Sequence, residues 1–306
     1  MTSDGYAGAP SNRADAKWGP LSTPVHTVIP ELDSAAYPWR DNAFLSWWDV
    51  DSGVCGIAHF STSPNSGGRR ARVSVSIPGR VHEIIEPLDA GSFDSPSVDL
   101  DLDGEVYVHH PELSVTLRQE PLYSPIDFTT SRAVPGLSDE YPLNHYQHVV
   151  RASGTCTVAD ESHNFNGLGW RDRTWGFRNE SVSWVDYTCA CITLDDHAVV
   201  LYRVIDPSGR IRSRAWQIDD CGQHELGEFS FVRNASGLLA EAAWETVSGQ
   251  ATVTTTRTLG GFWNPLGPGR HHGPTCSVYD EFLELRTDAD APASALVEHG
   301  IIRNVS

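Results

Sequence analysis

The sequence predicts an all-β protein made of two antiparallel domains, each a barrel or a sandwich. Three observations predict it. Apolar and polar residues alternate with period two, as in Ala71-Arg-Val-Ser-Val-Ser-Ile77. Turn signals such as Asp51-Ser-Gly53, Ser63–Gly68 and Asp206-Pro-Ser-Gly209 divide the chain at short spacing. Helix patterns are scarce, and Leu238–Trp244 and Ala291–His299 are the only segments where a helix is arguable.

Residues 1–24 are rich in Gly, Ala, Ser, Asp and Pro and contain no apolar run of signal-peptide type, so a flexible lead-in is expected. The first domain is expected over 25–143, with strands at 43–50, 53–60, 71–77, 97–102, 105–108 and 113–117. Prolines at 121, 125, 135 and 142 mark 119–143 as its closing linker. The second domain, 144–306, restarts the β-pattern at His145–Arg151 and Gly154–Val158. It continues through strands at 183–187, 198–205, 211–218, 227–232, 238–246, 251–259 and 277–286. A weak repeat supports two related domains. Leu45-Ser-Trp-Trp-Asp49 and Val182-Ser-Trp-Val-Asp186 are each followed by apolar residues, a Gly turn and an Arg-rich alternating segment, Arg70–Ile77 and Arg210–Ile218.

The chain has 306 residues, a formal net charge of -18 and a sequence pI near 5.0. That balance disfavours nucleic acid and anionic membrane surfaces as partners. No run approaches transmembrane length, so no stable membrane insertion is expected. Lys17 is the sole lysine, which leaves none for Schiff-base chemistry beyond the lead-in. Cysteines at 55, 156, 189, 191, 221 and 276 form no disulfide framework, and reduced thiols in a cytoplasmic protein are expected.

Several motifs fail on inspection. Asp99-Leu-Asp-Leu-Asp-Gly104 resembles the start of a calcium loop, but position twelve is His110 rather than Glu, and a β-turn meets the same spacing. The pairs His109-His110 and His271-His272 would point to opposite faces of a strand, so neither supplies two metal ligands. Cys189-x-Cys191 lacks a companion cluster for zinc, and no metal site is expected. The marks of hydrolase, nucleotide and nicotinamide chemistry are absent.

The densest run is Asn166-Gly-Leu-Gly-Trp-Arg-Asp-Arg-Thr-Trp-Gly-Phe-Arg178. Arginine forks, a carboxylate and two indoles are costly in a core and useful in a cleft, although a structural latch would use the same residues. With His145-Tyr-Gln-His148 ahead of it, the segment Gly167–Arg178 resembles the two-domain lipocalin-like superfamily. That superfamily includes carotenoid 1,2-hydratases, fungal Diels–Alder cyclases and uncharacterised actinobacterial relatives. Arg40–Asp49 and Tyr279–Asp288 are also similar to the relatives, so the likeness covers roughly residues 25–300.

The resemblance implies two lipocalin-like β-domains around an apolar pocket, a hydrophobic small-molecule substrate of polyene or isoprenoid type, and no metal or organic cofactor. It sets no oligomeric state. Alkene protonation needs an acid with a raised pKa, and indole faces can stabilise a carbocation. Asp172, Asp49 and His148 are the catalytic candidates. Arginine neighbours would lower the Asp172 pKa, which keeps Asp49, Asp186, His145 and His148 open as the acid. Trp175, Arg171, Arg173, Trp47, Trp184, His145 and Asp186 are the expected substrate contacts. Three functions follow: a hydratase or lyase, a pericyclase of natural-product biosynthesis, and a non-catalytic carrier of a hydrophobic ligand.

Overall fold

The computed structural model describes Trp18, Leu21 and residues 39–62, 70–88, 93–128, 143–177, 184–270 and 273–302. The chain divides into two compact units, the first reaching Asn179 and the second running from Glu180, with 132–135 counted in the second.

The first unit is one antiparallel sheet. Its strands are β1 (Trp39–Asp49), β2 (Val54–Thr62), β3 (Arg70–Ile77), β4 (Arg80–Pro87), β5 (Val98–Asp101), β6 (Glu105–His110), β7 (Leu113–Pro121), β8 (Ile126–Asp127), β9 (Leu143–Val158) and β10 (Glu161–Phe177). They lie in the order β4-β3-β2-β1-β10-β9-β7-β6-β5, with β8 paired to β9. The second unit holds β11 (Asp186–Thr193), β12 (Ala198–Ile205), β13 (Ile211–Asp219), β14 (Gly222–Glu225), β15 (Phe229–Arg233), β16 (Leu239–Thr246), β17 (Gly249–Arg270), β18 (Gly273–Thr287) and β19 (Pro292–Ile302). Their order is β14-β13-β12-β11-β19-β18-β17-β16-β15. Apart from short β8, the two orders are the same. In each sheet the last strand returns to pair with the first, and the two edge strands are consecutive in sequence, so both are open barrels.

Residue parity sets the faces. In the first sheet the core takes Ala43, Leu45 and Trp47 from β1, Ala58 and Phe60 from β2, Val73 and Val75 from β3, and Val115 and Leu117 from β7. Ala152 and Cys156 of β9 and Phe165 of β10 complete it. In the second sheet Ala190, Ile192, Leu201, Leu283, Leu285, Ala295 and Val297 play this part. β1 and β2 are buried along both faces.

Several expectations change. The boundary expected at 143/144 lies too early, because β9 and β10 pair with β7 and β1 and close the first sheet. The densest run is therefore the last strand of the first unit, not the opening of the second. Trp18 and Leu21 are buried against Val150, so the segment expected as a flexible lead-in contributes to the first core. Trp18 Nε1 donates to Asp103 O at 2.7 Å.

The two arguable helices are strands β16 and β19. Inward Leu239, Ala242 and Trp244, and Ala293, Ala295 and Val297, are recruited to the one core of the second sheet, and tertiary pairing overrides local pattern. The repeat is real as topology, but Ser46–Asp49 ends β1 whereas Asp186 begins β11. Only the Arg-rich copies, in β3 and β13, occupy matching strands. Of the expected linker, 119–121 extends β7 and Ile126–Asp127 forms β8, while 129–142 lies outside the described residues.

The Asp99–Gly104 segment is the β5–β6 turn, with Gly104 N donating to Asp101 O at 2.9 Å. Gly104 has a positive φ of 104°, and a Cβ there would lie 2.5 Å from the Trp18 ring, so only glycine fits. Cys55, Cys156, Cys189, Cys191 and Cys221 are free, and all but Cys221 are buried. Burial pushes the Cys55 thiol up to about 12 and Cys156 up to about 11, which makes both poor nucleophiles. Among the described residues no helix is long and apolar enough to cross a membrane.

Candidate active site

Strand β10 divides the arginine–aspartate run by parity. Arg171, Arg173 and Trp175 are in phase with Phe165 and face the core side. Trp170, Asp172 and Thr174 face the other way. Arg171 and Asp172 are thus not an ion pair. Gly167 and Gly169 belong to no phosphate cradle. A Cβ at Gly167 would lie 2.2 Å from Trp48 O, and one at Gly169 would lie 2.4 Å from Ser46 O. The two glycines let β10 approach β1 closely.

On the core side the arginines are structural. Arg173 Nη1 donates to Asp41 and, at 2.6 Å, to Asn42 O, with Arg173 and Asp41 both buried. Arg171 is wholly buried and donates to Leu102 O and Leu21 O, and its guanidinium lies 4.2 Å from the Trp18 ring centroid. Burial first, then Arg173, draws its pKa down to about 9. Trp175 stacks on Tyr146 at 5.6 Å, and Trp47 stacks on Phe165 at 6.0 Å inside the core.

His148 also faces inward. Its Nε2 donates to Tyr123 O, and its ring meets the edge of Trp18 at 5.5 Å. Burial, with a smaller push from Arg171, lowers its pKa to about 4 against the Tyr123 hydrogen bond. It is a neutral histidine of the core. Asp49 accepts from Asp51 N and Ser52 N through one oxygen and from Asn166 N through the other, so it caps the β1–β2 turn. Along β1 it lies five residues, about 17 Å, from the position opposite Asp172. Trp184 and Asp186 belong to the second unit. There Trp184 packs on Tyr187 at 5.1 Å, and Asp186 lies 4.0 Å from Arg233.

The outward face holds a different constellation. Asp172 Oδ2 pairs with His145 Nε2 and accepts from Gln147 Nε2 at 3.1 Å, while Oδ1 accepts from Thr174 Oγ1 at 2.7 Å. The pairing register explains the cluster: His145 opposes Thr174 and Gln147 opposes Asp172. Phe128 covers the imidazole, with ring centroids 4.9 Å apart. The side chains of His145 and Asp172 are 13% and 15% exposed. Burial pushes the Asp172 pKa up. The His145 charge and the bonds from His145, Thr174 and Gln147 outweigh it and hold the carboxyl below its ordinary value. Asp172 is thus an acceptor that orients His145.

The same face carries Trp170, whose buried Nε1 has no hydrogen-bond acceptor among the described residues. A groove of about 280 Å³ lies elsewhere, in the second unit, lined by Arg214, Glu225, Glu228 and Glu245. Its charge suits no apolar substrate.

His145, Asp172 and the indole of Trp170 are visible in the sequence; Gln147, Thr174 and Phe128 are not marked by it. The missing signal was strand parity. Once 161–177 is one strand, Trp170, Asp172 and Thr174 share a face.

The model of the family described as "Domain of unknown function (DUF7064)" matches residues 31–290. The chain belongs to this family. A comparison with curated proteins finds no match. Among solved structures the fold is shared with a protein assigned as AttH from Nitrosomonas europaea, 15% identical, TM-score 0.60, over 90% of this chain and 98% of that one. CghA, also solved with Sch210972, is 9% identical with TM-score 0.58, covering 87% and 88%. A kievitone hydratase from Nectria haematococca is 11% identical with TM-score 0.53, covering 87% and 89%. These likenesses show the two-unit, lipocalin-like β-fold of the DUF7064 chain. Its site chemistry rests on its own residues.

Proposed function

We propose that this protein is a hydratase or related lyase that protonates an alkene of a hydrophobic substrate, with His145 as the proton carrier and Asp172 as its positioning residue. One observation carries the reading. Asp172 is largely buried yet held as a carboxylate by three side-chain donors, one of them the His145 imidazole. A His–carboxylate pair of this kind holds and moves a proton at imidazole nitrogen.

In the proposed reaction His145 delivers a proton to one alkene carbon and the π electrons form the new C–H bond. Water captures the carbocation and returns a proton to the imidazole. The aromatic faces of Phe128 and of Phe44, which meets His59 at 5.9 Å, lie on the same side of the sheet and suit a transient cation. Trp170 Nε1 is a donor suited to a substrate oxygen. That the shared fold includes a kievitone hydratase supports this class of chemistry. The substrate expected is apolar and unsaturated, of polyene or isoprenoid type.

Incubation with candidate polyenes in deuterated water, read by mass spectrometry, tests the reading. Addition of water with one carbon-bound deuterium is the expected result. An isomer of unchanged mass would replace the hydratase with a pericyclase, and unchanged but retained ligand would leave a carrier.

A further inference from the structure

The first sheet is open where edge strands β4 and β5 fail to pair. Three potential metal ligands meet there. His82 lies on β4 in phase with core residues Ile84 and Leu88. His110 ends β6 in phase with Val106 and Val108. Glu112 sits in the β6–β7 turn. His110 is the last residue of its strand, and His82 follows Arg80 at the start of β4, so both stand near the strand ends beyond the apolar inward residues. One ligand atom from each of the three lies within 4.8 Å of the others, and His82 Nε2 is 3.7 Å from Glu112 Oε2. His82 Nε2 is buried and has no hydrogen-bond partner among the described residues.

One bond within the cluster is local: His110 Nδ1 accepts from Glu112 N at 3.2 Å, which leaves Nε2 as its nitrogen for a metal. Glu86 is occupied by Ser95 Oγ at 2.8 Å and Ser97 N at 2.9 Å. His109, the sequence neighbour of His110, is exposed on the opposite face, so the adjacent pair supplies one ligand and not two.

We propose that His82, His110 and Glu112 form a site for one divalent transition metal, with Zn2+ the best match. Two imidazoles and a carboxylate are a donor set that Zn2+ accepts, with a solvent molecule as fourth ligand. Tetrahedral donors about 2.05 Å from zinc lie about 3.3 Å from one another. The 3.7 Å separation therefore closes with a small rotation of Glu112, whose side chain is 71% exposed. The metal joins β4 to the β6–β7 turn across the gap that backbone pairing leaves open. It ties the first barrel shut at one rim, far in sequence from the His145–Asp172 pair and with no part in its chemistry.

The test uses the full chain, stripped with chelator and titrated with ZnCl2 by calorimetry, alongside His82→Gln, His110→Gln and His109→Ala. The site predicts one saturable equivalent per chain and a raised unfolding midpoint. His82→Gln and His110→Gln should each weaken binding at least tenfold, and His109→Ala should leave it unchanged. Co2+ in place of Zn2+ should give the intense visible bands of a four-coordinate centre that His82→Gln abolishes. Absence of a saturable site, or a site that survives both glutamine substitutions, overturns the proposal.

Discussion

Among the described residues each of the two sheets carries a largely buried histidine–carboxylate pair on its last two strands, and the pairs differ in almost everything else. In the first, His145 is on the penultimate strand β9 and Asp172 on the last strand β10. In the second, Glu281 is on penultimate β18 and His299 on last β19. Both pairs are diagonal: His145 opposes Thr174, two residues past Asp172, and His299 opposes Tyr279, two residues before Glu281. The first pair faces away from its core, and Thr174 and Gln147 complete the carboxylate's shell.

The second pair points inward, in phase with Val297 and Leu283. There Glu281 Oε2 accepts from His299 Nε2 at 3.0 Å and Leu239 N at 3.2 Å. Glu281 Oε1 and His299 Nδ1 have no partner among the described residues. A repeated topology has therefore not repeated a site. In a period-two element, parity decides whether a polar pair stands on the outward face or costs the core stability.

Substitutions that treat the two pairs alike should expose this difference. His299→Ala strands Glu281 in the second core and is expected to cost about 3–5 kcal/mol, read from denaturant unfolding. His145→Ala leaves Asp172 with two hydrogen-bond donors and should cost about 1–3 kcal/mol. Equal losses would erase the distinction drawn between the faces.

His148 sharpens the same comparison on β9, three residues from His145 but inward. Its folded pKa, about 4, lies below the ordinary 6.5, so the unfolded chain takes up the proton first. Stability should therefore fall by up to about 3 kcal/mol as pH drops from 6.5 to 4. His148→Gln should flatten that limb in unfolding curves taken across the range.

Gly169→Ala should cost about 1–3 kcal/mol by thermal unfolding, because β10 must back away from Ser46 O. Asp49→Ala should be the mildest, about 1 kcal/mol, with turnover unchanged.

The fold was legible because alternation and turns are local. Ala198–Ile205 reads directly as a strand and is one. The unit boundary was not legible, since β9 and β10 resemble the strands of either sheet and only their pairing with β7 and β1 assigns them. Asp172 and His145 were legible as chemistry but not as partners. Adjacent charges in Arg171-Asp172-Arg173 look like an ion pair until a strand sends them to opposite faces. Asp49 stands out by its indole neighbours, yet its oxygens are taken by backbone at a turn, which composition does not reveal. The ligands His82, His110 and Glu112 are split between two non-adjacent strands and a turn, and no motif spacing joins them.

On the proposed mechanism the outward pair, and not the inward one, moves the proton. Solvent-deuterium incorporation into a substrate, measured for wild type, Asp172→Asn and Glu281→Gln under conditions where all three are folded, tests it most directly. Asp172→Asn should lower incorporation by about 10²–10⁴-fold and alter the pH profile, while Glu281→Gln should stay within a few-fold of wild type. Full incorporation by Asp172→Asn, or its loss in Glu281→Gln alone, would rule out the outward pair as the proton carrier.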